Sequence, residues 1–203
     1  MLNKTSKETA VGQGGFSLLE LLVAMTITLA VMAAASTLLA GSLRTRTREN
    51  ARSNALASAQ RALNMMSREI GNSGYGLNDN GIVVADSDDE SIRVRANLNN
   101  NDSLGDALLT DVDEDVRFVY QEDNEAIVRV SQSGTPVVLA TNITFVEIKY
   151  LNVAGLDATP ATAERVQIDL RVELPAGPQQ PAGLVRLVSD VALRNAPATL
   201  YQF

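Results

Sequence analysis

Carboxylates are the only chemically versatile side chains that this sequence supplies in quantity. Its 203 residues include no histidine and no cysteine. That removes the commonest general base near neutral pH, the commonest metal ligand, thiolate sites and disulfides together, and it argues against an enzyme. Two carboxylate settings stand out. Glu20 sits inside the apolar run GGFSLLELLVAMTITLAVMAAASTLLAGSL, where an unpaired charge is costly and marks a candidate functional residue. The second setting is a dense acidic stretch: residues 79–125 carry 14 acidic and 3 basic side chains. Within it Asn97, Asn99, Asn101, Asp102, Asp106, Asp111, Asp113, Glu114 and Asp115 offer hard oxygen donors of the kind calcium takes. Asp102, Asp106, Asp111, Asp113 and Asp115 are the candidate calcium ligands. Their spacing is not that of the twelve-residue calcium loop, because the glycine and the final glutamate fall out of register. The competing reading is a solvated acidic surface with no cofactor.

The elements that must position these groups begin with the run around Glu20. From Leu21 to Leu43 there are 23 residues without a charge, and at about 1.5 Å per helical residue they reach across a hydrocarbon core of about 30 Å. Before the run lies a short polar segment with Lys4, Lys7 and Glu8. After it Arg44, Arg46, Arg48 and Arg52 form a basic collar, suited to lipid headgroups, to DNA or simply to water. Residues 53–203 carry 21 acidic and 11 basic side chains, so DNA is not predicted as a direct partner of that portion.

The helix is expected to continue beyond the collar. No proline precedes Pro136, and Leu56, Ala59, Leu63, Met66 and Ile70 recur at steps of three and four beside polar Arg61, Asn64 and Arg68. GNSGYG then supplies a stop, with Gly71 placed to close the helix. Beyond it the period changes to that of strands: a short apolar candidate at 82–85, alternation from Ile92 to Leu98, a hairpin of 116–121 and 126–131 around EDNE, then 137–140 and 143–151. The clearest is 165–174, where Val166, Ile168, Leu170, Val172 and Leu174 share one face. PAGPQQPAG reads as a loop, and 184–194 as an edge strand. The expected fold class is therefore α+β, a long amino-terminal helix whose rear half covers an antiparallel sheet. The expected segments are 1–15, 16–43, 44–70 and 71–203.

Gly15-Phe16-Ser17-Leu18-Leu19-Glu20 resembles the processing signature of type IV pilins and of the pseudopilins of type II secretion. The resemblance implies that residues 1–15 are a leader, that prepilin peptidase cuts between Gly15 and Phe16, and that the new terminal amine is methylated. It makes Glu20 the fifth mature residue, an assembly contact for the terminal amine of a neighbouring subunit. A pilin-like fold, a single pass through the inner membrane of a Gram-negative bacterium, a periplasmic head domain and later display on the pilus are all implied with it. So are partners: prepilin peptidase, other minor and major pilins through the helix, and the inner-membrane assembly platform. Length, SREIGNSGYG and the acidic entry to a strand resemble most the minor pilins that prime assembly. The chain departs from many relatives in carrying Thr37 where they have a proline.

Other readings compete. A minor pseudopilin shares the anchor and the long helix, and a membrane-tethered binding module that never polymerises shares the anchor. A conventional secretory signal cut near Ala33–Ala35 is opposed by Glu20 and by the length of the uncharged run. Positive-inside counting, +1 before the span and +3 directly after it, favours the reverse of the orientation that the resemblance implies.

Overall fold

The computed structural model describes residue 15 and residues 17–98, 113–176 and 181–196. The chain divides into two units, Met1–Arg46 and Thr47–Phe203. One helix, α1 (Leu18–Gly71), supplies residues to both.

In the first unit α1 begins with a side-chain cap. Ser17 accepts a hydrogen bond from the Leu19 amide at its Oγ (3.3 Å) and from the Leu21 amide at its carbonyl (3.1 Å), which satisfies donors that a helix start leaves open. All of α1 in this unit is exposed, Leu22, Ile27, Leu29 and Leu38 included. α1 is long and apolar enough to cross a membrane. Four of its hydroxyls fit that use, because they bond back to their own helix: Thr26 to the Val23 carbonyl (2.8 Å), Thr28 to Ala24 (2.7 Å), Ser36 to Met32 (2.8 Å) and Thr37 to Ala34 (2.8 Å). In hydrocarbon such internal bonding is what polar groups require. The helix runs through Thr37 without interruption, as it can where no proline removes an amide.

The second unit packs the rest of α1 against two sheets. The buried stripe is Ala55, Ala59, Ala62, Leu63, Met66 and Ile70. It is turned slightly from the expected one: Leu56 is only half-buried, and Ala55 and Ala62 take its place. Three of these six residues are alanines.

The first sheet is antiparallel in the order β1 (Ser91–Arg95), β2 (Asp115–Gln121), β3 (Ala126–Ser131), β4 (Pro136–Ala140); the second is β5 (Ile143–Leu151), β6 (Arg165–Leu174), β7 (Gly183–Ala192). A single sheet was the expectation. The split falls at Thr141-Asn142, where Asn142 adopts a left-handed φ of 61° and the register shifts on both sides, between Ile127 and Val128 and between Ile143 and Phe145. Tyr120 spans the division by donating to the Ile143 carbonyl at 3.0 Å.

β6 is the centre of the second sheet, and Val166, Ile168, Leu170 and Val172 are each 0% exposed. They join the helical stripe and Ile92, Val94, Val116 and Phe118 of the first sheet in one apolar core. Asp169, on the opposite face of β6, is buried and held by Arg186 at 2.7 Å.

The helix stop differs in detail from its expectation. Gly71 is the last helical residue, and the left-handed positions are Gly74 and Gly76. Gly81 is the position that tolerates least: its φ is 74°, and a Cβ there would lie 2.2 Å from the Gly74 nitrogen and 2.3 Å from the Arg95 carbonyl. Residues 82–85 form no strand of their own, only a bridge from Ile82 to Val94 followed by a 3-10 turn at Val84–Asp86.

Candidate functional site

The amino-terminal site is carried by local helix chemistry. Gly15 and Ser17 precede the helix, and Phe16 lies outside the described residues. Ser17-Leu18-Leu19-Glu20 has the spacing of a helix-start signal, a hydroxyl followed three residues later by an acid. Glu20 accordingly falls in the first turn of α1. There the partial positive charge of the open amides favours an anion, typically by 0.3–1 kcal/mol. The carboxylate is exposed, flanked by Leu18, Leu19 and Leu21, which are exposed as well. An acidic group at the end of an apolar helix surface, reachable by a cation from outside, is thus what the local geometry offers.

Residues 11–36 match the family described as the prokaryotic N-terminal methylation motif. The methylation motif covers the Gly15–Phe16 junction, Glu20 and the first part of α1. It supports a pilin- or pseudopilin-like chain, subunits that are structural rather than catalytic, and with the long apolar helix it is consistent with anchoring in a membrane. No curated protein matches the chain.

The acidic stretch is placed differently. Asp102, Asp106 and Asp111 lie outside the described residues. Asp113 accepts from Arg129 Nη2 at 2.8 Å, and the same guanidinium meets Glu69 of α1 at 3.1 Å. Asp115, the first residue of β2, takes a fork from Arg93, Nε and Nη2 each at 2.7 Å, while Arg93 Nη1 reaches Asp86 at 2.6 Å. Hydrogen bonds to Asp115 and Asp86 hold the Arg93 guanidinium above its ordinary range. Glu114, between the two aspartates, is buried and accepts from the Leu98 amide at 2.9 Å.

Among the described residues no group of three or more acidic side chains converges as a cation site would require. Asp113 gives one oxygen, Oδ1, and Asp115 gives both of its oxygens to arginine. Sequence reasoning missed Arg93, Asp86 and Arg129 as partners. The first was legible in part, because β1 and β2 were both expected and their pairing sets Arg93 opposite Arg117 and diagonal to Asp115; the Arg129–Glu69 contact, 60 residues apart in the chain, had no local signal.

Proposed function

We propose that the chain is a minor pilin, a noncatalytic structural subunit that helps initiate a type IV pilus or joins it. On this reading prepilin peptidase removes residues 1–15, Phe16 becomes the methylated first residue, and the apolar part of α1 leaves the inner membrane to pack among the helices of other minor and major pilins on the assembly platform. The observation that carries the reading is the coincidence of the methylation motif at 11–36 with a helix whose apolar surface finds no cover within its own unit. An exposed surface of that kind is stable only in lipid or against other helices.

Glu20 is the assembly contact in this proposal. A carboxylate moved from an interface into a bundle of apolar helices needs a cation, because an uncompensated buried charge costs several kcal/mol. The terminal amine of Phe16 on a neighbouring subunit supplies one. The test is Glu20→Ala with leader removal and filament incorporation scored separately. Processing is expected to continue while incorporation falls at least about tenfold, the equivalent of about 1.4 kcal/mol. Normal incorporation of the variant would overturn the docking role.

A further inference from the structure

The geometry points to a second function for the end of the apolar segment: Arg44 and Arg46 bind the phosphodiester headgroups of anionic phospholipids and fix the depth of the helix. This rests on the membrane reading of α1 and names the ligand that the membrane would supply.

Three observations converge. Leu21–Leu43 contains no charge, and Arg44 is the first charged residue after Glu20. Both guanidinia are exposed, and neither makes an ion pair or hydrogen bond among the described residues. Between them Thr45 turns its hydroxyl inward, to the Gly41 carbonyl at 3.1 Å, so it does not compete with the two arginines for a headgroup.

The helix then decides the stoichiometry. Residues two apart differ by about 200° in direction and about 3 Å in height, so Arg44 and Arg46 lie at one depth on opposite sides. They cannot share one headgroup, and each takes its own. A guanidinium offers a planar fork that matches a phosphate, with weaker hydration than an ammonium to give up on contact. A membrane-adjacent arginine is worth about fivefold in affinity for an anionic surface.

The depth has a consequence for Glu20. It lies about 36 Å along the helix from Arg44, slightly more than the hydrocarbon thickness of about 30 Å. Arginines locked in one headgroup layer therefore hold Glu20 at the opposite interface, hydrated, until the helix leaves the bilayer. The same two contacts that anchor the subunit keep its carboxylate out of hydrocarbon.

The full chain and the double variant Arg44→Gln, Arg46→Gln are reconstituted into vesicles of phosphatidylcholine alone and into nanodiscs of equimolar phosphatidylcholine and phosphatidylglycerol. Flotation with the neutral vesicles reads insertion; native mass spectrometry of the nanodisc particles reads which lipids remain bound. Both proteins are expected to float with neutral vesicles. The wild-type chain is expected to retain phosphatidylglycerol severalfold over phosphatidylcholine, two molecules at most through this site, and the variant to lose that preference. Equal lipid retention by the two proteins overturns the headgroup role while leaving membrane insertion standing. Failure to float overturns both. Displacement of phosphatidylglycerol by inorganic phosphate would identify a soluble anion as the ligand and overturn the lipid assignment, as would an arginine-dependent shift of duplex DNA.

Discussion

Tyr150 shows at the residue scale how a single hydroxyl ties the segment before β1 to the second sheet. It donates to the carbonyls of Asp88 (3.1 Å) and Ser91 (3.3 Å), and burial is the main cause that raises its pKa above the ordinary 10.0, with Asp88 and Asp89 adding to it against a hydrogen bond from Ser87. A raised folded value means that the unfolded chain ionises first. The contribution to stability is complete below pH 10.0 and is lost as pH rises toward the folded value. Tyr150→Phe is expected to cost about 1 kcal/mol at neutral pH and to show a shallower loss of stability above pH 10.0 than the parent in denaturant titrations.

Asp88 behaves in the opposite sense. Burial pushes its carboxyl up, but the amides of Glu90 and Ser91, the Ser91 hydroxyl and the charge of Arg117 outweigh it and bring the pKa below 3.8. Its contribution is present above pH 3.8 and lost as pH falls through the folded value. Asp88→Asn should flatten the acid limb of the stability curve.

Glu20 was legible from the sequence because a charge in an apolar run is conspicuous by itself. Ser17 was missed as a helix cap, although its spacing to Glu20 was a signal that could have found it. Gly81 was not legible, since its requirement comes from the backbones of Gly74 and Arg95 closing around it; Gly81→Ala is expected to destabilise the fold by several times the usual 0.4–1 kcal/mol of a compatible glycine change, as read from its denaturation midpoint.

At the scale of elements, the alternation of β6 was readable to the residue, Arg165–Leu174, because a strand between two partners with one face in the core keeps its period throughout. The division into two sheets was not readable. It depends on the left-handed Asn142 and on two register shifts, neither of which leaves a periodic trace. The helical stripe lay between these cases: its period was clear, but its centre was misjudged by favouring the larger Leu56 over Ala55 and Ala62.

That difference can be measured. Met66 is 1% exposed in the core, whereas Leu56 is only half-buried. Met66→Ala should therefore cost about 2–5 kcal/mol and Leu56→Ala distinctly less, in chemical denaturation of the full chain in detergent. Equal costs would mean that the helix presents the stripe the sequence suggested.

For the whole molecule, the division of labour follows from where charge and apolar surface fall. One unit exposes its apolar side chains and carries the methylation motif; the other buries a core between α1 and two sheets. A pilin reading uses the first for assembly and leaves the second as a head. Deletion is expected to impair twitching or DNA uptake, whereas loss of exoprotein secretion would place the subunit in a type II secretion pseudopilus instead.

The central claim is that this chain is processed at the Gly15–Phe16 junction before it assembles. Intact-mass measurement and amino-terminal sequencing of the mature protein test it most directly. The expected result is a chain that begins at Phe16 and carries one methyl group on its terminal amine; a chain that begins at Met1, or one cut near Ala35, would contradict it.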